Sequence, residues 1–339
     1  MQILILGGTA WLGREIAREA LARGHAVTAL ARGESGAVPD AATLVVSDRA
    51  RPGAYAAVAD RDWDAVVEVS WQPRFVREAL TALGERAAHW TLISSTSVYA
   101  SAAEVGADES AATFAPLQAE LAEKPEYGEA KAAVEQASRA ALDEKLLIVR
   151  PGLIGGPGDE TGRSGAWVAR AARASDAPLL VPDEPSLPTQ IVDVRDLVSF
   201  VVDSAERRLH GTVNAVGPVV PLGEWIEESR RIGGHRGDIV AASSAWLLAN
   251  GVEEFMGEGS LALWLPDPDF AGFSARSGRA AEAAGLMHRP RSALLMDVLE
   301  WEQSRGLARP RRAGLSAERE AELLQRLAAS DGQPAAPRR

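Results

Sequence analysis

The chain has 339 residues, 46% hydrophobic and 24% charged, which suits one large globular domain or two closely joined ones. Its net charge of −11 and pI near 5.1 argue against general nucleic-acid binding. Cysteine is absent and the five histidines (His25, His89, His210, His235, His288) lack ligand spacing, so no disulfide, thiolate nucleophile or structural metal is expected.

The N-terminus runs directly into a strand pattern, without the basic stretch and cleavage site of a signal peptide. No apolar run reaches the ~18 residues of a membrane helix. A cytoplasmic protein with no membrane or nucleic-acid partner is the expectation. Three lysines against 33 arginines look like a high-GC bacterial coding bias.

In chain order, Ile3–Leu6 is a short apolar run that reads as a buried strand. A glycine turn follows, then a helix over Trp11–Arg23 closed near Gly24. Ala26–Leu30, Thr43–Val46 and Ala65–Val69 are further strands, and a helix spans about Arg74–Gly84. Thr91–Ser94 is a fifth strand, Glu126–Leu142 a long helix, and Leu146–Val149 a sixth strand. Continuous apolar strands alternating with helices predict a doubly wound parallel sheet covered on both faces. Its ligands should bind at the carboxyl ends of the strands.

After Arg150 the pattern changes. Residues 151–190 are rich in Gly and Pro, with a helix expected around Ala166–Arg173. Ile191–Glu206 reads as a strand and a helix, and Thr212–Val216 as another strand. Pro221–Gly306 mixes helices and loops with four tryptophans (Trp225, Trp246, Trp264, Trp301). Ser316–Ala329 is a polar helix capped by Ser316. We therefore expect a dinucleotide-binding domain over 1–155 and 188–220. A smaller, mostly C-terminal substrate part would take 156–187 and 221–310, with a helix and disordered tail over 311–339.

Two features carry chemistry. Tyr127 and Lys131 stand one helical turn apart, which puts phenol and ammonium on one face. A positive charge that close is expected to lower the tyrosine pKa and fit the phenol to trade a proton with a carbonyl or alcohol. A Tyr-Lys pair at this spacing is often only a surface contact. In a chain that otherwise uses arginine for nearly every cation, Lys131 stands where arginine would not serve. The second feature is Gly7-Gly8-Thr9-Ala10-Trp11-Leu12-Gly13 between a strand and a helix, the context of a dinucleotide fingerprint, with Ala10 at the middle glycine position. The second strand ends Leu30-Ala31-Arg32-Gly33 without an acid. With Arg14 after the glycine turn, Arg32 favours NADP(H), NAD(H) being the alternative.

With these residues in place, the chain resembles the extended short-chain dehydrogenase/reductase family, the NAD-dependent epimerase/dehydratase-like group, over about residues 1–300. The resemblance implies a Rossmann fold and a catalytic hydroxyl in Ile93-Ser94-Ser95-Thr96-Ser97-Val98-Tyr99, on Ser95, with Ser94 or Thr96 as alternative registers. It implies that Ser95 holds the substrate oxygen, Tyr127 exchanges its proton, and Lys131 holds the nicotinamide ribose. Pro151-Gly152 would back the nicotinamide, Asp48-Arg49 would meet adenine, and Ser70 would line the cofactor site. A homodimer through the Tyr127 helix is common in such relatives.

The chain departs from the family's sugar-modifying members in three ways. Thr96-Ser97 replace the dehydratase acid pair, Arg150-Pro151-Gly152-Leu153 replaces an Arg-Tyr-Phe-Asn segment, and the second-strand acid is missing. These differences turn the reading toward a reductase or dehydrogenase with a dissociable cofactor. An epimerase and a non-catalytic dinucleotide sensor are the alternatives. Trp71, Ser95, Thr96, Arg163 and Gln190 are the expected substrate-facing residues. Asp159 either helps Arg163 orient substrate or pairs with it, and Trp246 and Trp264 form an apolar wall or fill a core.

Overall fold

The computed structural model describes residues 1–331; beyond Asp331, the expected C-terminal tail lies outside the described residues. Two compact units emerge. The first comprises 1–154, 190–218 and 275–288, and the second 155–189, 219–274 and, of the described residues, those from 289 onward. Segment 275–288, expected in the substrate part, belongs to the first unit.

The first unit is built on seven strands: β1 (Gln2–Leu6), β2 (Ala26–Ala31), β3 (Thr43–Val46), β4 (Ala65–Glu68), β5 (Trp90–Ile93), β6 (Leu146–Pro151) and β7 (Gly211–Ala215). Their order is β7-β6-β5-β4-β1-β2-β3, and every pairing is parallel. This is the doubly wound Rossmann arrangement. Alternation along the strands explains the unbroken apolar runs. Ile3 and Ile5 of β1 and Leu147 and Val149 of β6 enter one core, while Leu4, Leu6, Leu146 and Ile148 enter the core on the opposite face. A strand buried on both sides has no position for a polar residue, which is why Glu68 at the end of β4, fully buried, needs a partner.

Helix α1 (Trp11–Ala22) buries Ile16, Ala17 and Ala20 as one stripe. Helix α2 (Pro73–Leu83) starts on a proline, tolerated where no N–H is needed, and buries Val76, Ala79, Leu80 and Leu83. Helix α3 (Tyr127–Leu142) is introduced by a turn in which the Glu123 N–H donates to the Glu126 carboxylate at 2.9 Å. Helix α4 (Val194–Arg207) is capped by the Asp193 carboxylate, which accepts from the Arg195 N–H at 2.8 Å.

The second unit has short paired strands: Leu179–Pro182 with Ile239–Ala242, Glu253–Phe255 with Ser260–Ala262, and Gly257–Glu258 with Ala313–Gly314. Helices Ala166–Arg173, Leu222–Gly233, Ser244–Ala249, Arg291–Arg305 and Ala317–Asp331 surround them. Ser316 accepts from the Arg319 N–H, capping the last helix. Glu302, fully buried, binds Arg309 and Arg311, each at 2.9 Å.

Candidate active site

The site lies in the first unit, at the carboxyl ends of the strands around the point between β1 and β4 where strand order reverses, the place such sheets bind ligands. A groove there is lined by Gly7, Thr9, Ala10, Arg32, Glu34, Ser35, Asp48, Arg49, Ser70 and Trp71, among others. Gly13 is what lets α1 close on the turn: a Cβ there would lie 2.4 Å from the Gly7 carbonyl oxygen. Trp11 and Leu12 pack their side chains on the core, leaving backbone to face the turn. A cradle of small residues capped by a helix N-terminus fits a pyrophosphate.

At the other end of the site, Tyr127 opens α3 and is half-buried. Ser95 is the side chain that draws the Tyr127 pKa down against burial, and the Ser95 Oγ accepts from the Ser97 N–H at 3.1 Å. Of the three possible registers, Ser95 is the one whose side chain acts on the tyrosine. Ser94 instead donates to Glu135 at 2.6 Å, and Thr96 is buried. Gly128 makes the junction possible, because a Cβ there would come within 2.6 Å of the Ser97 carbonyl oxygen. Trp71 packs edge-on against Tyr127, ring centroids 5.4 Å apart.

Lys131 is almost completely enclosed. Its Nζ donates to the Ile93 carbonyl at 2.6 Å and the Ser70 carbonyl at 3.3 Å, and stands 5.7 Å from the Tyr127 ring centre. Burial lowers its pKa to about 8, against the opposing pull of the Glu68 and Glu135 carboxylates. The expected effect of Lys131 on the tyrosine is overturned. Burial raises the Tyr127 pKa above the ordinary phenol value, and the opposing influence is the Ser95 hydrogen bond. The lysine's protons point at backbone carbonyls, so desolvation of the phenol wins.

Arg49 does not present a free guanidinium to adenine. It is buried and binds Glu68 through two nitrogens at 2.8 and 2.5 Å, the Tyr55 hydroxyl at 2.7 Å and the Phe75 carbonyl at 3.0 Å. Gln190 is buried. Its amide nitrogen donates to the Gly217 and Arg276 carbonyls and its oxygen accepts from the Arg276 N–H. Asp159 is spent inside its own loop on Thr161 and Ser164. Arg163, in the same loop, donates to Thr161 and lies over the Phe255 ring. Trp264 is fully buried and donates to Glu184, filling the second unit's core. Pro151 ends β6, and the Gly152 N–H donates to the Ala215 carbonyl at 3.4 Å. Asp48 lines the groove while its carboxylate accepts from the Ala50 N–H.

Sequence reasoning missed Glu34, which lines the groove beside Arg32 and pairs with it at 3.3 Å. It lies two residues beyond Arg32, past the strand end where a ribose-binding acid is expected. Glu68, Glu135, Arg150 and Tyr99 were missed too. A charged residue within or at the end of an apolar run, as in Ala65–Val69 or Leu146–Arg150, is the signal that finds Glu68 and Arg150.

The sequence profile of the NAD dependent epimerase/dehydratase family matches residues 3–217. The chain belongs to this family. An enzyme of NAD-dependent epimerase/dehydratase type with a dinucleotide cofactor follows as the coarse reading of the site. A search of proteins of curated function returned no match. Solved structures share the fold. A Burkholderia cenocepacia J2315 protein provisionally named an epimerase aligns with a TM-score of 0.67 at 21% identity, over 89% of this chain and 98% of that one. The UDP-Glc/GlcNAc 4-epimerase of Campylobacter jejuni aligns at 0.65 and 14% identity, over 89% and 99%. The Thermus thermophilus UDP-glucose 4-epimerase, in complex with NAD, aligns at 0.58 and 18% identity, over 90% and 99%. None of the described helices is long and apolar enough to cross a membrane, and no group of metal-binding side chains occurs among the described residues.

Proposed function

We propose that this enzyme moves a hydride between a nicotinamide dinucleotide and the carbon of a small ketone or alcohol, with Ser95, Tyr127 and Lys131 as its reacting set. The observation that carries the reading is the enclosed Lys131 ammonium, 5.7 Å from the Tyr127 ring centre and held by the carbonyl of Ile93, two residues before Ser95. The dinucleotide, when bound, supplies the hydride acceptor or donor. Ser95 holds the substrate oxygen and Tyr127 exchanges its proton. A tyrosine phenol is protonated at neutral pH and burial pushes its pKa further up, so the site as built is ready to donate a proton, which suits reduction of a carbonyl.

NADP(H) is the proposed cofactor. Two guanidinium side chains, Arg14 and Arg32, belong to the glycine turn and the end of β2. Arg14 reaches the loop at Gly36, where a Cβ would lie 2.8 Å from its Nη1. The carboxylate beside Arg32, Glu34, is exposed and already paired with it. A second reading, an epimerase that oxidises and re-reduces one carbon, is favoured by the family match and by the sugar-nucleotide epimerases among the structural relatives. A homodimer is part of neither argument.

Titration of the purified protein with NADPH and NADH, alongside Arg32→Ala, tests the cofactor assignment. Tighter NADPH binding that weakens about tenfold in Arg32→Ala, a loss of roughly 1.4 kcal/mol, supports a dissociable NADP(H)-dependent reductase. Protein that purifies saturated with NAD, or binds NADH as well as NADPH, replaces that reading with the epimerase.

A further inference from the structure

Glu135 follows Lys131 by one turn on α3, so Tyr127, Lys131 and Glu135 succeed one another along a single helix face. Its carboxylate is buried and fully engaged. Ser94 Oγ donates to one oxygen at 2.6 Å, Arg150 Nε donates to the same oxygen at 2.9 Å, and Arg150 Nη2 donates to the other at 2.7 Å. Arg139 adds a contact at 3.0 Å. Arg150 is itself tied by Nη1 to the Tyr99 hydroxyl at 2.8 Å, which donates to Asn214 at 2.7 Å. Four segments thus meet at one carboxylate: α3, the end of β5, β6 and, through Tyr99, β7.

The location of the Ser94 bond matters most. Ile93, which precedes Ser94, gives its carbonyl to Lys131. Ser95, which follows, is the side chain that acts on the Tyr127 phenol. Ser94 is therefore the fixed point between the two contacts of the reacting set, and Glu135 holds it to the helix that carries Tyr127 and Lys131. We propose that Glu135, kept ionised and in place by Arg150, is a positioning residue. Through the Ser94 hydroxyl it sets the register of Ser95 against Tyr127. The inference rests on the proposed role of Ser95 and Tyr127 and adds the device that aligns them. Neither Ser94 nor Glu135 touches the reacting atoms.

The test needs no substrate. The chain has only three tyrosines (Tyr55, Tyr99, Tyr127), so full-length protein labelled with 3-fluorotyrosine gives three fluorine resonances, assigned by Tyr→Phe variants. Fluorine acidifies the phenol and brings its titration within reach. The groups facing Tyr127 are Ser95, Lys131 and Trp71, with Glu68 and Glu135 beyond the lysine. Ser94→Ala removes the tether and leaves every one of those groups in place. The expected result is an upward move of the Tyr127 midpoint by roughly half a pH unit, as the Ser95 bond loosens, with Tyr55 unmoved. Ser94→Thr, which keeps a hydroxyl, returns the midpoint toward wild type. A Ser94→Ala protein that titrates like wild type overturns the proposal. Ser95→Ala in the same experiment separates the two levels. If it moves the midpoint while Ser94→Ala does not, only the positioning role falls. If neither moves it, the Ser95–Tyr127 pairing in the proposed function falls as well. Should Ser94→Ala fold poorly, Ser94→Gly, which likewise removes the hydroxyl and alters no charge, is expected to move the midpoint in the same direction. An unmoved midpoint there overturns the proposal equally.

Discussion

Two ion pairs flank Lys131, and they are built from the same three residue types. On the groove side stand Glu68, Arg49 and Tyr55; on the side of the reacting serine stand Glu135, Arg150 and Tyr99. In each, an arginine binds its glutamate through two nitrogens and a tyrosine hydroxyl through another. In each, the arginine also lies near the tyrosine ring, 5.5 Å from its centre in the first and 4.8 Å in the second. They differ in what they hold. Glu68 accepts from the Ser70 backbone N–H at 2.8 Å, and Tyr55 donates to the Phe75 carbonyl at 2.7 Å. Glu135 accepts from the Ser94 side chain, and Tyr99 donates to the Asn214 side chain. The first triad is wired to backbone, the second to side chains. A triad wired to backbone can be broken only through its own members. One wired to side chains also transmits changes at Ser94 and Asn214, and that suits it to alignment.

Removing either carboxylate gives the largest expected effect. Glu68→Ala leaves Arg49 buried and uncompensated, and Glu135→Ala does the same to Arg150. A buried charge stripped of its partner costs about 3–5 kcal/mol. Burial disfavours each arginine's charge, and the glutamate more than offsets that. Urea unfolding should therefore show both variants destabilised to a similar degree. Only Glu135→Ala should also disturb the Ser95–Tyr127 contact. Equal disturbance of that contact by both would erase the distinction between the triads.

The triads also mark where the sequence was legible. The strand runs and the glycine turn were readable, because parallel strands buried on both faces leave unbroken apolar runs such as Ile3–Leu6, and a tight strand-to-helix junction needs small residues. Tyr127 and Lys131 were readable because lysine is rare here. The triads were not, since their members lie far apart in sequence: Arg49 partners Glu68, and Arg150 partners Glu135. Each was visible only as a charge out of place in an apolar neighbourhood. The second unit was less legible for another reason. Its strands run from two to four residues, too short for periodicity to register, and side-chain bonds such as Glu302 with Arg309 and Arg311 hold its turns.

Lys131, between the triads, gives the next largest effect and a sign that can be checked. Its folded pKa is lowered to about 8 from 10.5. Below pH 8 the ammonium is charged in both folded and unfolded chains, and the cost of burying it is felt in full. Between about 8 and 10.5 the folded lysine is neutral while the unfolded one still binds its proton, so stability contributed by this position rises with pH. Relative to Lys131→Met, wild-type stability should climb across that window by on the order of 3 kcal/mol. A difference that is flat with pH, or that falls, would mean the two carboxylates hold the ammonium charged more firmly than its burial opposes it. The triads would then act mainly as counterions to Lys131.

The smallest effect separates the triads most finely. Tyr55→Phe removes a hydroxyl from the Phe75 carbonyl, but Arg49 still donates to that carbonyl at 3.0 Å, so the acceptor keeps a partner. Both changes also take an acceptor from an arginine, Nε of Arg49 here and Nη1 of Arg150 in Tyr99→Phe, a loss common to the two; the further cost of Tyr55→Phe should be that of one hydrogen bond, about 1 kcal/mol. Tyr99→Phe takes away the donor to the buried Asn214 side-chain oxygen, and an acceptor left without that partner adds roughly 1–3 kcal/mol. Tyr99→Phe is therefore expected to be the more destabilising of two chemically identical changes. Asn214→Ala, paired with Tyr99→Phe in a double-mutant cycle, should recover part of the loss, because the stranded oxygen is gone. Equal unfolding free energies for Tyr55→Phe and Tyr99→Phe would show that side-chain wiring carries no extra dependence. The case for the second triad as the aligning one would then rest on Ser94 alone.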